Sequence, residues 1–146
     1  MRALIISALI AAAPLSLAIA ATGGPSITPA DKLTWGPAQG LPPGAQVAVL
    51  YGNPAAKGPF AIRFKFPAGY EIPTHSHSSE ELITVISGGG RMSFGEDASA
   101  ASAQPLPVGS FMDLPAGAWH HLWIDADTIV ELHSTGPFDV NLHHAM

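Results

Sequence analysis

Phe60, Ile62, Phe64 and Phe66 alternate with Ala61, Arg63 and Lys65. A period of two is that of a strand with one face buried and the other wet. Comparable patterns recur along the chain. Residues 46–51 place Val47, Val49 and Tyr51 on one face, and residues 81–87 form a run rich in β-branched side chains. Residues 91–94, 110–114, 119–124 and 128–133 read as further strands, with a short edge strand at 32–35 and a last one at 138–142. Residues 96–103 carry small side chains and predict a loop or a single helical turn. Fifteen Gly and 14 Pro punctuate these runs. No stretch supports a helix longer than two turns. Nine or ten short strands at a spacing of roughly 8–12 residues predict an all-β domain, either a sandwich or a barrel.

The chemistry concentrates between Gly69 and Gly88. His75 and His77 stand one residue apart, and on a strand such positions share a face. Glu81 opens the following run and reaches the same point if the chain turns at Ser78 and Ser79. Glu80 is the competitor, but strand parity groups Glu81 with Ile83 and Val85. Two imidazoles and a carboxylate aimed at one point are the makings of a metal site. A second stretch, Gly109 to His120, runs from a strand through Pro115 and Gly117. Proline presets φ and glycine accepts φ > 0, so the chain reverses there and starts a new strand at His120.

Gly69-x5-His75-x-His77-x3-Glu81-x6-Gly88 resembles the first motif of the cupin superfamily, and Gly109-x5-Pro115-x-Gly117-x2-His120 resembles the second. The resemblance implies a single double-stranded β-helix, the jelly-roll barrel, with His75, His77, Glu81 and His120 as metal ligands. One position departs from the family pattern: the second motif often ends in Asn four residues after its His, where this chain has Ile124. That departure bears on substrate polarity rather than on the ion. Three imidazoles and one carboxylate suit one divalent transition metal, Fe, Mn, Ni, Co or Zn. An octahedral ion so held keeps two adjacent positions for water, O2 or a chelating guest. Its residual charge of about +1 favours an anionic guest. Free imidazole titrates near about 6.5, so protons are expected to compete with metal below about pH 6.

Around the site, Phe64, Ile83, Phe94 and Leu122 are expected in the pocket wall. Glu131 and His133 share a face; they are candidates either for supporting or acid–base groups in the pocket or for a structural role, and parity alone does not say which face turns inward. Phe60, Ile62, Val85, Phe111 and Ile124 are read as core or wall. His121 alternates with His120 and is expected on the outer face with Trp119 and Trp123. Arg91 either recognises an anion or faces water. His143 and His144 are expected in solvent near the C-terminus.

Length and charge narrow the partners. At 146 residues the chain has room for one domain. Its net charge is -5, from 6 Lys+Arg against 11 Asp+Glu, with no basic patch to engage nucleic acid. There is no Cys, so no disulfide forms and any metal is held by nitrogen and oxygen. Residues 1–20 read as a signal peptide: Arg2, an apolar run at 3–13, Pro14, and the small-x-small pattern Ala18-Ile19-Ala20. The expected organisation is thus a cleaved signal at 1–20, a flexible segment with an edge strand at 21–45, and the cupin barrel at 46–146. Cleavage would leave a periplasmic or secreted domain with no membrane span. Cupin relatives imply a homodimer. Three functions remain open: an oxygenase-type oxidoreductase on a small oxygen-rich compound, a small-molecule binding or sensing module, and a barrel braced by a structural metal.

Overall fold

Alternation builds the strands that the sequence announces most clearly. The computed structural model describes residues 24–143. The expected signal peptide and His144 lie outside the described residues. Nine strands follow in order: β1 (Gly36–Pro37), β2 (Gln46–Tyr51), β3 (Gly58–Phe66), β4 (Glu71–Ser76), β5 (Glu81–Phe94), β6 (Gln104–Leu106), β7 (Phe111–Leu114), β8 (His120–Gly136) and β9 (Asn141–Leu142). Short 3-10 turns occupy Ala30–Lys32 and Ala100–Ser102. Every strand pair is antiparallel, along the path β1-β2-β3-β8-β4-β9, with β5 joining β6, β7 and β8. The sheet curls upon itself as an all-β jelly roll. Among the described residues no helix is long and apolar enough to cross a membrane.

The inner faces of these strands form one core. Phe60, Ile62 and Phe66 of β3 are fully buried, each burial contributing roughly 1.5–3 kcal/mol. Phe64 stacks on Phe66 at 5.5 Å, and Phe66 on Tyr70 at 5.2 Å. The Tyr70 hydroxyl donates to the Pro42 carbonyl at 2.5 Å and pins the Pro- and Gly-rich loop ahead of β2. Leu41 of that loop thereby packs on the core.

Several expectations about the strands need correction. Residues 32–35 are not a strand; a 3-10 turn ends at Lys32, and two residues, Gly36 and Pro37, pair with β2. Residues 81–87 and 91–94 are one strand, and so are 119–124 and 128–133. The glycines between the first two bend the strand instead of ending it. A Cβ on Gly90 would lie 2.3 Å from the Trp123 carbonyl oxygen, and one on Gly88 would lie 2.2 Å from that of Asp127. Backbones therefore approach there as no larger residue allows. The β5–β8 register slips between Val85 and Gly90, where the ladder bends. Only residues 141–142 of the expected terminal strand pair, against His75 and Ser76. In β2 Ala48 is deeply buried and Val47 packs on the core, whereas Val49 and Tyr51 are exposed on either side of a register shift. Phe94 and Phe111 are 50% and 63% exposed, so neither belongs to the core or the pocket wall.

The long β5–β8 ladder positions the site. Glu81 pairs with Ser134 at one end, and Phe94 pairs with His120 at the other. Fourteen residues of strand span roughly 45 Å at about 3.3 Å each. The curl nonetheless brings Glu81 Oε2 to 3.8 Å from His120 Nε2.

Candidate metal centre

Four ionisable side chains meet inside the roll. His75, His77, Glu81 and His120 are all buried. His75 lies near the end of β4, opposite His120 at the start of β8. His77 follows β4 directly, and Glu81 is the first residue of β5. A register irregularity between Ile72 and His75 turns both β4-side histidines inward. One ring nitrogen from each of His75, His77 and His120 lies within 4.8 Å of the others. Glu80, the competitor of Glu81, is exposed.

The orientation of each ring follows from its backbone partner. His75 Nδ1 faces the Pro73 carbonyl at 2.7 Å, His77 Nδ1 that of Asp139 at 2.5 Å, and His120 Nδ1 that of Ala118 at 2.9 Å. A carbonyl only accepts, so each Nδ1 carries the proton and each Nε2 is left with a lone pair. Glu81 Oε2 is buried without a hydrogen-bond partner, although His77 Nε2 stands 3.2 Å away. Converging lone pairs beside an orphaned carboxylate oxygen make a cradle suited to a cation. The donor set fits one divalent transition metal, with the backbone carbonyls fixing the rings from behind.

Electrostatics describe the same need. With no ion, burial pushes the Glu81 carboxyl up to about 8, and the Asp139 charge adds to the shift. Burial first, then His120 and His77, lowers His75 to about 3. Burial lowers His120 to about 4, and His77 moves down for the same reason. Burial thus disfavours the charged form of the rings and of the carboxyl alike. An ion held there would favour the ionised carboxylate and so oppose the upward shift at Glu81.

The cavity in front of the cluster measures about 50 Å³. Phe64, Ile83 and Leu122 line it, as the sequence predicts, together with Val130 and Ile124. Thr128 is the one other polar side chain in the lining, and its hydroxyl accepts from Gly89 N–H at 2.9 Å and donates to the Ala126 carbonyl at 2.7 Å. Three expected wall residues lie elsewhere. Phe94 sits on the outside. Glu131 and His133 share a face, but it is the outer one, where Glu131 binds Arg63 at 2.8 Å and His133 at 2.9 Å. Parity along β8 decides this: Val130 and Leu132 point inward, so 131 and 133 point outward. His121 is also outside, stacked on Trp123 at 3.9 Å and bonded to Glu71 at 2.6 Å. Arg91 pairs with Asp125 at 3.1 Å and does not face the cavity. His143, expected in solvent, packs edge-on to Trp119.

The segment after β8 supplies parts the sequence does not announce. Phe138 stacks on the His77 ring at 4.9 Å and lines the cavity. The Asp139 carboxylate accepts from Ser78 N–H at 2.9 Å and from Ser78 Oγ at 2.5 Å. Its backbone carbonyl holds His77, a role no residue type encodes. Leu41 enters the wall from the opposite side of the sequence.

Comparison with known proteins bears on the fold and the family. No curated protein matches the sequence. Among solved structures, an RmlC-like cupin from Desulfovibrio desulfuricans is 24% identical with a TM-score of 0.52, over 63% of this chain and 82% of that one. The polyketide cyclase RemF from Streptomyces resistomycificus is 14% identical with a TM-score of 0.69, over 84% and 88%. Salicylate 1,2-dioxygenase from Pseudoaminobacter salicylatoxidans, solved with gentisate adducts, is 16% identical with a TM-score of 0.57, over 71% of this chain and 30% of that one. At these identities the likeness is one of fold. The cupin domain family model matches residues 62–136, just over half of the chain, and the chain belongs to that family.

Proposed function

We propose that this protein is an extracytoplasmic metal-dependent cupin, an oxygenase-type oxidoreductase acting on a small oxygen-bearing compound. The observation that carries the metal reading is the unpartnered Glu81 Oε2 beside three converging Nε2 lone pairs. His75, His77, Glu81 and His120 would hold the ion, which when bound supplies a Lewis acid with open positions for a guest and O2. The chain's own residues fix the donors, exclude water with an apolar wall, and bring no further acid or base to the cavity. That last fact favours chemistry centred on the ion over side-chain proton transfer. Extracytoplasmic location rests on the N-terminal pattern at residues 1–20. A homodimer is supported by Val49 and Tyr51, exposed on β2 close to the sheet edge.

A second reading, capture of a small molecule without turnover, draws on the same lack of acid–base groups. Anaerobic loading with Fe(II), followed by O2-uptake measurement with a panel of small oxygen-bearing anions, separates the two. Uptake that depends on one of these compounds supports the oxygenase. A compound recovered unaltered from a tight complex, with no uptake, removes it.

A further inference from the structure

Size, polarity and charge of the cavity together describe its guest. A dry engineered cavity of about 150 Å³ takes a benzene ring; the space here is about 50 Å³. Beyond the four donors the wall is built of side chains such as Leu41, Phe64, Ile83, Met112, Leu122 and Phe138. The Thr128 hydroxyl is already spent on Gly89 and Ala126. Among the described residues no Lys or Arg lines the wall. Arg63 is turned to Glu131, Arg91 to Asp125, and the Lys65 ammonium lies over the Trp35 ring at 4.3 Å. A hydroxyl or second carboxylate on the guest would therefore lose its water and find no partner. The charge count agrees. A divalent ion beside ionised Glu81 retains about one positive charge, which a monoanion neutralises and a dianion overshoots.

Resting on the metal reading above, we propose that the cavity selects a short aliphatic monoanion, with one oxygen-donor head at the histidine–glutamate cluster and an unsubstituted hydrocarbon body of a few carbons. Sugars, dicarboxylates and aromatic rings are disfavoured by the same wall. This specificity is set by Ile124 and its apolar neighbours rather than by any recognition group. The guest is held by its head and sorted by what its body lacks.

The test uses the full chain loaded with Co(II), whose visible absorption reports both the ion and any anion that joins it. Butyrate, 3-hydroxypropanoate and benzoate are titrated in turn, each affinity being divided by that for Co(II) in solution. Butyrate and 3-hydroxypropanoate share a head and a length and differ in a terminal methyl against a hydroxyl. Butyrate is expected to bind at least about tenfold more tightly than 3-hydroxypropanoate, the scale of one buried polar group left unpaired. Benzoate is expected to bind more weakly than butyrate. Equal or tighter binding of 3-hydroxypropanoate, benzoate matching butyrate, or no butyrate binding to the Co(II) protein overturns the proposal alone. Failure to take up Co(II) at all, seen before any anion is added, overturns the metal reading and this inference with it.

Discussion

His77 donates from Nδ1 to the backbone carbonyl of Asp139 at 2.5 Å, across 62 residues of sequence. The same Asp139 grips Ser78 through its carboxylate, and Asn141 steadies that carboxylate at 2.9 Å. One residue thus fixes the ring of His77 and the backbone that follows it. Its carboxyl is held below the usual range chiefly by the Ser78 hydroxyl.

Asp139→Ala keeps the backbone acceptor but frees Ser78. Metal affinity should fall by about 10–100-fold, the usual cost of losing a group that orients a ligand. Competition against a chromophoric chelator measures this. Unchanged affinity would show that the carboxylate plays no part in aiming His77.

The metal-free protein should be most stable near pH 6.5. Glu81 titrates at about 8 when folded against 4.5 when unfolded, so the folded chain binds the extra proton and stability falls as pH rises through that window. His75 and His120, at about 3 and 4 against 6.5, are protonated first in the unfolded chain, so stability falls as pH drops below 6.5. Between 4.5 and 6.5 the histidines outnumber the single carboxyl. Melting of chelator-stripped protein at pH 5, 6.5 and 8 should give its highest midpoint at 6.5. Metal binding at pH 7 should release about one proton, visible by calorimetry in buffers of different ionisation enthalpy. A midpoint that climbs from pH 6.5 to 8 contradicts the buried, protonated Glu81.

Gly90→Ala should destabilise the fold by about 2 kcal/mol or more, because its Cβ would press on the Trp123 carbonyl at 2.3 Å. Gly89→Ala, whose Cβ would meet the Leu106 carbonyl at 3.2 Å, should cost less. Urea unfolding of the two variants gives the comparison. Equal losses would mean that the bend tolerates a side chain.

His133→Ala should leave metal content and affinity at the level of the parent protein, since His133 lies on the outer face with Glu131. Its effect on stability should stay within about 0.5 kcal/mol. His77→Ala should lose most of the bound metal. Elemental analysis of both variants after dialysis distinguishes them, and equal loss would place His133 in the centre after all.

Much of the architecture was legible from residue order. The alternation of Phe60, Ile62, Phe64 and Phe66 and the spacing of His75, His77, Glu81 and His120 are local patterns. Parity separated Glu81 from Glu80 and His120 from His121 without any tertiary knowledge. Parity does not tell which face of residues 128–133 turns inward, so the side of Glu131 and His133 is not legible from the sequence. Phe94 failed for a related reason: an aromatic on a strand reads alike inside and outside. The glycines at 88–90 looked like a break because the chain alone does not reveal that two backbones need to touch there. Asp139 was invisible because its contribution to His77 is a backbone atom.

The rolled β5–β8 ribbon gives the centre a mechanical meaning. Glu81 and His120 stand at its two ends, and the curl makes them neighbours. An ion held by both would act as a clasp on a coiled spring: it would resist uncoiling of the longest strands, not merely motion of four side chains. Whatever emptied the clasp would loosen the whole coil.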